Sequence, residues 1–358
     1  MSVLAGKRIF LTGHTGFTGS WTSIWLSSLG AEVFGYSLEP ETTPNLFTEA
    51  KIQELVTGGI GDIRDFVSLR DRMSSFRPDL VLHLAAQPLV RRSYRIPRET
   101  FEINTQGTAN VLEAARNTSS VRGVLCITTD KVYKNLEKDY RYIESDELGG
   151  IDPYSASKAA AELIIESYRF SLKSSNPHDQ IIAVARGGNI IGGGDWSEDR
   201  LVPDYIRALE STAPLGIRFP QATRPWQHVL SLVDGYLTIL SGMLGAEAKK
   251  FDRAFNLGPM EPESISVSEL LSLLSNKLPG VRIQEQVSEY HEAGKLALDS
   301  SLAAKTFGWS PNWDTEAAIG KTADWYKDFL YNNKSAYQLC IDQIESWKEP
   351  EKRPKVNQ

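Results

Sequence analysis

Apolar runs of strand length alternate with helix-length segments along the first half of the chain, and this alternation constrains the fold most strongly. Five runs are apolar enough to be buried parallel strands, at residues 8–11, 32–36, 80–84, 123–128 and 181–185. Helices are predicted between and after them, at 17–29, 66–76, 97–116 and 153–172. The pattern predicts an α/β protein with a doubly wound parallel sheet.

A glycine-rich segment follows the first predicted strand directly and opens the first predicted helix. It reads GHTGFTG, in which Gly13, Gly16 and Gly19 are each separated by two residues. Glycine permits a tight turn and lets backbone N–H groups and the helix N-terminus approach a pyrophosphate. A glycine-rich turn that binds no cofactor would have a similar sequence, but the position after the first predicted strand favours a dinucleotide site on a Rossmann-type sheet. Thr15 and Phe17 are further candidate cofactor contacts.

The end of the second predicted strand bears on which dinucleotide binds. Such sites usually place an Asp or Glu about 20 residues after the glycines to hold the adenosine ribose. Here the strand ends in YSLE, so the carboxylate is displaced; Ser37 is the candidate ribose contact, and a role in the turn alone is the alternative. No Lys or Arg occurs between Ala31 and Ala50 to hold a 2′-phosphate, which favours NAD over NADP.

Further candidate cofactor contacts follow the next two strands. Asp62 and Ile63 would come after a short third strand, where a carboxylate could reach the adenine amine. Small residues after the fourth strand leave room for a flat cofactor, although tight packing better explains two alanines taken alone. The remaining candidate cofactor contacts are Ala85, Ala86, Gln87 and Asn104, together with Tyr154 and Lys158 further along the chain.

Composition excludes several classes of function. The 358-residue chain has a net charge of −6, which argues against a nucleic-acid partner, because such domains usually carry a basic face. Two cysteines, Cys126 and Cys340, are too few for a disulfide framework or a cysteine-rich zinc site, and no metal is expected. We find no signal-peptide pattern and no apolar run near the roughly 20 residues of a membrane span. A soluble, cytoplasmic protein is expected.

The second half of the chain differs from the first in composition and in its helical patterns. Glycine and proline become frequent beyond Arg186, and helical patterns recur only near 266–277 and 315–331, which predicts a smaller mixed α/β substrate lobe. The segment 229–258 is expected to return to the sheet. The predicted division is a dinucleotide-binding domain over 1–185 with that return segment, a substrate lobe over 186–228 and 259–345, and a frayed polar tail over 346–358.

Two short segments carry the candidate catalytic residues. In TTDKVY, a hydroxyl, an acid and an amine follow one another as Thr129, Asp130 and Lys131. In YSASK, Tyr154 and Lys158 lie four residues apart and share one helix face. The Lys158 ammonium can lower the phenol pKa of Tyr154 from about 10 and make it a base. A solvated helix face would explain that second spacing alone.

Together these motifs resemble the extended short-chain dehydrogenase/reductase family, and within it the nucleotide-sugar 4,6-dehydratases. The resemblance rests on the glycine loop, the Tyr-x-x-x-Lys helix and the intervening Thr-Asp pair, and it spans most of the chain. Lys131, RGGNIIGGGDW at 186–196 and RPWQHV at 224–229 are similar to the members that act on CDP-glucose. The dTDP- and GDP-sugar dehydratases carry glutamate where Lys131 stands.

The resemblance implies a hydro-lyase that uses NAD to dehydrate CDP-glucose to CDP-4-keto-6-deoxyglucose. Tyr154 would accept the C4 hydroxyl proton while Thr129 orients the oxygen, and the C4 ketone would make C5–H acidic. Lys131 would remove that C5 proton while Asp130 protonates the departing C6 hydroxyl, before hydride returns to C6. To act as a base the Lys131 amine must be neutral, a form favoured by burial and by the charge of Lys158.

The lobe of this acidic chain supplies candidate contacts to a sugar nucleotide. Asn189 and the glycines after it follow a predicted strand, where they would offer a substrate an amide contact and close backbone approach; a tight loop is the alternative. Arginine suits a diphosphate through its fork of donors. Surface ion pairs are the alternative for the arginines, and a hydrogen-bonded structural role is the alternative for the histidine. The candidates are Asn189, Arg200, Arg218, Arg224 and His228.

Two features bear on partners and pathway. Four crowded arginines, for which a substrate gate, a phosphate contact, a subunit contact and a solvated face all remain open, are Arg91, Arg92, Arg95 and Arg98. The family resemblance implies a homodimer or higher homo-oligomer paired through two helices, here 97–116 and 153–172. It also implies bacterial 3,6-dideoxyhexose formation for surface polysaccharide, as in the O-antigen of lipopolysaccharide.

Two other functions share these signals. A nucleotide-sugar 4-epimerase would use the same tyrosine and cofactor without elimination, and Asp130 and Lys131 argue against it. A regulatory protein that binds NAD without catalysis is compatible with the fold, because fold does not determine function. The intact set of Thr129, Tyr154 and Lys158 argues against that interpretation. The choice of CDP-glucose rests on the resemblance alone.

Overall fold

The computed structural model describes residues 1–170, 180–211, 213–260, 265–286 and 296–349. Its strands are β1 (Arg8–Thr12), β2 (Glu32–Ser37), β3 (Thr57–Ile60), β4 (Leu80–His83), β5 (Gly123–Thr129), β6 (Arg141–Tyr142), β7 (Ile181–Gly187), β8 (Ile190–Ile191), β9 (Leu215–Ile217), β10 (Thr223–Arg224), β11 (Gln227–His228), β12 (Ala254–Asn256), β13 (Ile265–Ser266), β14 (Ile283–Glu285) and β15 (Ala297–Leu298). Its helices are α1 (Phe17–Ser28), α2 (Leu46–Glu49), α3 (Phe66–Phe76), α4 (Val90–Arg95), α5 (Pro97–Phe101), α6 (Gly107–Arg116), α7 (Pro153–Phe170), α8 (Leu201–Ser211), α9 (Val229–Met243), α10 (Val267–Ser275), α11 (Ser301–Phe307), α12 (Thr315–Asn332) and α13 (Ala336–Lys348).

A seven-stranded sheet forms the centre, in the order β12-β7-β5-β4-β1-β2-β3. Every neighbouring pair in it is parallel. The chain moves outwards from β1 to β3 and then returns to β4 on the other side of β1. Such a switch in strand order opens a crevice at the carboxyl ends of the strands. The doubly wound α/β fold is therefore confirmed, and the five predicted strands end within two residues of the observed ones.

The central strands are apolar along their whole length because helices cover both faces of the sheet. One core contains the tryptophans of α1, Trp21 and Trp25, packed with residues of α9, α12 and α13. The other core joins α3, α6 and α7 to the opposite face, with Met73 and Val111 among its buried residues. These two layers hold the carboxyl ends of the strands in a fixed arrangement.

Three helical segments differ in detail from the prediction. The predicted helix 97–116 is one helical run, but a π-helical turn (Glu102–Gln106) separates α5 from α6. Helix α7 is described as far as Phe170, so residues 171 and 172 of the predicted helix lie outside the described residues. The prediction of a polar tail from residue 346 is wrong at its start, because α13 runs to Lys348 and buries Trp347. Residues 350–358 lie outside the described part.

The second half contributes both to the sheet and to the crevice. Strand β12 joins the sheet beside β7, and α9 packs against β5 and β7. The described residues also form four two-stranded sheets, β8/β11, β9/β14, β10/β13 and β6/β15. Within the described residues, no helix combines the length and apolar character that a membrane span needs.

Candidate active site

A cavity of about 980 Å³ opens at the carboxyl ends of the central strands. It lies between the glycine loop on one side and the second half of the chain on the other, as expected for a doubly wound sheet. The sequence-predicted residues that line it are Gly13, Thr15, Gly16, Phe17, Gly19, Ser37, Asp62, Ile63, Ala85, Ala86, Gln87, Thr129, Asp130, Lys131, Tyr154, Lys158, Asn189, Arg200, Arg218 and Arg224. The fold thus brings together residues from both halves of the chain.

The glycine loop has the shape of a phosphate cradle. Gly13 has a φ of +80°, and a Cβ built there would lie 2.7 Å from the backbone nitrogen of Ala85. A Cβ on Gly19 would lie 2.0 Å from the Gly13 carbonyl oxygen. Gly16 caps the N-terminus of α1, whose first turn contains no acidic residue, and both line the cavity. The helix N-terminus and the exposed backbone therefore suit an anionic pyrophosphate.

The far end of this cradle suits an unphosphorylated ribose. The Ser37 hydroxyl lies 2.7 Å from the Thr15 hydroxyl, which ties the end of β2 to the glycine loop. Glu39 also lines the cavity, and its carboxylate would repel a 2′-phosphate. Asp62 lines it too, but its carboxylate accepts hydrogen bonds from Arg64, with Nη2 to Oδ2 at 2.6 Å. The residues present fit a dinucleotide without a 2′-phosphate.

The prediction that Asn104 contacts the cofactor is corrected by the structure. Its amide is buried on the π-helical turn, away from the cavity lining. Oδ1 accepts a hydrogen bond from the Gln87 backbone N–H at 2.9 Å, and Nδ2 donates to the Gln87 carbonyl and to Ser157 Oγ. Asn104 therefore holds the segment after β4 against α7, and Gln87, not Asn104, faces the cavity.

The prediction that His228 binds substrate is also corrected. The imidazole is fully buried, and its Nδ1 accepts a hydrogen bond from the Leu230 N–H at 3.2 Å, which caps α9. Its ring packs edge-on against Trp21 and Trp313. Burial lowers the pKa of His228 to about 3, so the ring stays neutral at physiological pH. The short strand β11 directs this side chain into the core. His228 therefore has the hydrogen-bonded structural role that the sequence analysis gave as the alternative to substrate binding.

The acid and the amine of the first catalytic segment sit on a tight turn at the end of β5. Asp130–Val132 form one 3₁₀ turn, which the Thr129 hydroxyl caps by accepting from the Lys131 N–H at 3.3 Å. Thr129 Oγ1 donates to Asp130 Oδ1 at 2.9 Å, and Asn189 Nδ2 donates to Oδ2 at 3.2 Å. The Asp130 side chain is thereby held in the cavity wall between the two halves of the chain.

The tyrosine and lysine of the second segment face the same region from α7. Both side chains are buried, and the Tyr154 phenol hydrogen-bonds with Thr129. The Lys158 ammonium donates to the carbonyl oxygen of Ile127 at 3.2 Å. Thr129, Asp130 and Tyr154 therefore form one hydrogen-bonded group, and Lys131 and Lys158 line the same cavity.

The expectation that Lys158 lowers the pKa of Tyr154 is wrong for the chain by itself. Burial raises the pKa of Tyr154 to about 12, and the hydrogen bond with Thr129 only partly offsets this effect. Burial also lowers the pKa of Lys158 to about 8. Both shifts have one physical cause, because a low-dielectric interior disfavours the charged form of either group. Positive charge brought near the phenol would lower its pKa again, because it favours the charged form.

A glycine makes room for the acid, and this contact yields a test. A Cβ on Gly188 would lie 2.4 Å from Asp130 Oδ2, so Gly188→Ala must displace the carboxylate. Because catalysis depends on positions at the ångström scale, we expect turnover to fall roughly 10- to 100-fold. The measurement is steady-state turnover at saturating substrate. Gly59→Ala is the matched control, since its Cβ would meet nothing within 4 Å. Equal turnover in the two variants would contradict this view of Asp130.

Two of the three predicted substrate arginines are held at the cavity by acids of one neighbouring segment. Arg200 Nη1 lies 3.0 Å from Asp195 Oδ2, and Arg218 Nη1 lies 3.7 Å from Asp199 Oδ1. The third, Arg224, donates from Nη1 to the carbonyl of Thr223 at 2.9 Å. All three line the cavity in the second half of the chain, opposite the glycine loop.

The crowded arginines divide between the cavity mouth and the solvent. Three of them pair with acids at or across the mouth, in the contacts Arg91–Asp199 at 2.7 Å, Arg92–Glu41 at 2.6 Å, Arg92–Glu198 at 2.9 Å and Arg95–Glu198 at 3.1 Å. Arg98 is 90% exposed and pairs with Glu102 one turn away. The first three therefore connect α4 to the second half of the chain, whereas Arg98 has the solvated environment typical of a surface charge.

Sequence reasoning missed a buried polar network behind the turn Asp130–Val132, which carries the candidate acid and amine and is called the catalytic turn below. Arg186 on β7 pairs with Glu162 on α7 at 2.5 Å and donates to the Tyr133 hydroxyl at 2.6 Å. One signal was available, because Glu162 stands four residues after Lys158 and so lies one turn further along α7. The partner on β7 is far away in sequence, and no local pattern reveals it.

The chain is similar in sequence and in fold to known enzymes. The chain is 41% identical over 332 residues to CDP-glucose 4,6-dehydratase of Salmonella typhimurium, covering 91% of this chain and 92% of that protein. Its fold is similar to dTDP-glucose 4,6-dehydratase of Streptomyces venezuelae, solved with NAD and TYD bound (TM-score 0.77, 23% identity, 90% and 97% covered). It is equally similar to UDP-glucose 4-epimerase of Thermotoga maritima, solved with UDP-glucose (TM-score 0.77, 21% identity, 90% and 99% covered).

A match to a family model shows which protein family the chain belongs to. The model of the NAD dependent epimerase/dehydratase family matches residues 9–258, from the first strand to just beyond β12. That span contains the glycine cradle, the catalytic turn and the Tyr154–Lys158 helix. The resemblance to extended short-chain dehydrogenases/reductases is thereby confirmed, and the chain belongs to the NAD dependent epimerase/dehydratase family, with NAD as its cofactor.

Proposed function

We propose that this protein is a hydro-lyase that converts CDP-glucose into CDP-4-keto-6-deoxyglucose. The observation that carries the proposal is the grouping of Asp130 and Lys131 beside Thr129 and Tyr154 in one cavity. Hydride transfer alone requires only the hydroxyl pair and the cofactor. An additional acid and amine are useful when a second bond to hydrogen and a bond to oxygen must break. The 41% identity to the Salmonella enzyme supports CDP-glucose as the substrate.

The residues of the chain would move protons at three positions of the glucose ring. Tyr154, aided by Thr129, would take the C4 hydroxyl proton. When bound, NAD would supply hydride acceptance at C4 and hydride return at C6. Lys131 takes the C5 proton, because the neighbouring ketone stabilises the charge left on C5. Asp130 gives its proton to the C6 hydroxyl, which leaves as water. Reprotonation at C5 completes the reaction.

The second half of the chain would hold the nucleotide part of the substrate. We propose that 186–228 and 259–345 form this lobe and that 1–185 with 229–258 form the NAD-binding domain. Arg200, Arg218 and Arg224 support this assignment, because they line the cavity and arginine binds diphosphates through paired donors. Asn189 supports it as well, since its φ of 52° turns the chain at the cavity wall. That backbone strain is typical of binding sites.

Product analysis would test the proposed reaction and its substrate together. The purified protein is incubated in parallel with CDP-, dTDP-, GDP- and UDP-glucose, or GDP-mannose for the guanosine series, in deuterated water. We expect a 4-keto-6-deoxy product from the CDP sugar, with deuterium at C5. Interconversion of hexoses without loss of water would show an epimerase. Bound NAD with no product from any sugar would show a non-catalytic protein and refute the proposal.

We propose that the protein forms a homodimer through α5 and α7. Three large apolar side chains on these helices are solvent-exposed: Phe101 at 38%, Leu163 at 59% and Phe170 at 70%. Leu163 and Phe170 lie seven residues apart on α7 and so share one helix face. Exposed apolar faces of this kind are typical of protein–protein interfaces. Leu163→Arg should therefore shift the mass measured by light scattering from dimer to monomer. Val67→Arg on α3 is the control, because Val67 is 57% exposed and lies on another helix. A wild-type monomer would contradict the proposal.

We propose a cytoplasmic location and a role in supplying 3,6-dideoxyhexoses for surface polysaccharide. Cys126 and Cys340 are free and buried, which suits a reducing compartment. The ketone at C4 supports the role, because it activates the neighbouring C3 for later deoxygenation. Cell fractionation would test the location. Loss of O-antigen bands on lipopolysaccharide gels after gene deletion would test the role, whereas unchanged bands would contradict it.

A further inference from the structure

A buried ion pair lies directly behind the catalytic turn. Arg186 on β7 and Glu162 on α7 are 5% and 4% exposed, and Nε of the guanidinium also donates to both carboxylate oxygens. Thr128 on β5 donates to the same carboxylate at 2.6 Å. Charges are buried at a large desolvation penalty, so an arrangement that satisfies them is strongly held in one geometry. The pair fastens α7, which carries Tyr154, to the sheet.

Tyr133 connects this ion pair to the neighbouring strand. Its hydroxyl accepts from Arg186 Nη1 at 2.6 Å and donates to Asn256 Oδ1 on β12 at 2.7 Å. The guanidinium carbon lies 4.9 Å from the centre of the Tyr133 ring, in cation–π range. Burial raises the pKa of Tyr133 well above its ordinary value, so the phenol keeps the proton that it donates. The hydroxyl therefore has one donor and one acceptor, both buried.

Tyr133 is also the residue that ends the catalytic turn. The turn Asp130–Val132 begins at Thr129, at the end of β5, and Tyr133 is its C-terminal cap. The Tyr133 N–H donates to the Asp130 carbonyl at 3.4 Å. The segment with the acid and the amine is therefore held at one end by the sheet and at the other by the phenol bound to Arg186.

From this arrangement we infer that Tyr133 is a positioning residue for elimination, setting Asp130 and Lys131 relative to Tyr154 through Arg186 and Glu162. The inference rests on the proposed function. Its physical basis is a continuous path of buried hydrogen bonds from the end of the turn to the catalytic helix. Tyr133 also lines the cavity, but in this role it acts through the turn.

Oxidation at C4 and elimination should depend on Tyr133 to different degrees. Thr129 is the last residue of β5, and Tyr154 lies on α7, so both keep their support when the Tyr133 hydroxyl is removed. Asp130 and Lys131 lie on the turn itself and lose one of its two anchors. Removal of this hydroxyl therefore slows removal of the C5 proton more than it slows oxidation.

The test is Tyr133→Phe, which keeps the ring over Arg186 and removes one oxygen. A displacement of the acid and the amine at the ångström scale predicts a fall in turnover of about 10- to 100-fold. The deuterium isotope effect of C5-labelled CDP-glucose on turnover should rise, because breakage of the C5–H bond then limits the rate. NAD affinity, measured by calorimetry without substrate, should stay unchanged. A variant that is merely less stable would lose active protein without a larger isotope effect.

The matched control is Tyr142→Phe in the same aromatic cluster. Tyr142 stacks on Tyr133 at 5.0 Å, but its hydroxyl accepts from the Leu136 N–H and does not contact Arg186. Its isotope effect should equal that of the wild type. If Tyr133→Phe does not fold, Asn256→Ser removes the acceptor of the phenol and should raise the isotope effect instead. Unchanged turnover, or lower turnover with an unchanged isotope effect, overturns the inference, and a wild type without dehydratase activity overturns the proposed function with it.

Discussion

Lys131→Met should abolish elimination while C4 oxidation remains measurable. Methionine has a similar unbranched length and no amine, so the turn keeps its shape and loses only the base proposed for C5. General acid–base groups typically contribute about 10²- to 10⁴-fold, and we expect a loss of product formation in that range. In single-turnover mixing with CDP-glucose, the absorbance of reduced nicotinamide should rise without release of the 4-keto-6-deoxy product. Deuterium from solvent should not enter C5.

A second lysine close by in the sequence provides the control for Lys131→Met. Lys134 lies three residues further along, is 55% exposed and pairs with Glu147 at 3.0 Å. Exposed pairs of this kind contribute little to stability, so Lys134→Met should leave turnover close to that of the wild type. Unchanged turnover in Lys131→Met would remove the assigned role of the amine, and deuterium at C5 in that variant would point to another base.

Tyr154→Phe should fail one step earlier than Lys131→Met. The Tyr154 phenol, which hydrogen-bonds with Thr129, is the group proposed to accept the C4 proton. Its removal should therefore slow oxidation itself by about 10²- to 10⁴-fold. No reduced nicotinamide should accumulate, and no deuterium should enter C5, because the ketone that acidifies C5 does not form. NAD affinity should change little, since the ring of residue 154 keeps its place on α7.

The contrast between the two variants is more informative than either loss alone. A reaction without elimination would respond to Tyr154→Phe but not to Lys131→Met. Tyr140→Phe is the control for removal of a phenol, because Tyr140 is 46% exposed and hydrogen-bonds only on the surface, to Asp146. Rapid oxidation by Tyr154→Phe would contradict the role of the tyrosine, whatever the result at Lys131.

Much of the site was predictable because its signals are local. The glycine spacing follows from the close approach of Gly19 to Gly13 within one turn, and the pair Tyr154–Lys158 follows from the period of a single helix. The identity of the reacting groups on the turn after β5 also depends on consecutive residues. Patterns of this kind survive any change in the packing around them, so the sequence reveals them directly.

The errors have a different origin. His228 and Asn104 stand in promising motifs, but a two-residue strand and a π-helical turn direct their side chains away from the cavity. The pKa of Tyr154 was expected to fall, and burial raises it, because the degree of burial depends on the whole fold. The direction of a side chain in an irregular element does not follow from a periodic sequence pattern, and neither does the local dielectric environment.

The sequence by itself determined the order of strands and helices, the phosphate cradle, the preference for NAD and the chemical groups at the catalytic turn, since each depends on neighbouring residues. Only the tertiary structure decided which of the candidates meet. Tyr133 reaches Arg186 across 53 positions and Asn256 across 123, and arginines on α4 pair with acids about 100 residues away. Such contacts arise from the crossover of strands in the sheet, and the energy that holds them comes from burial that only the folded chain provides.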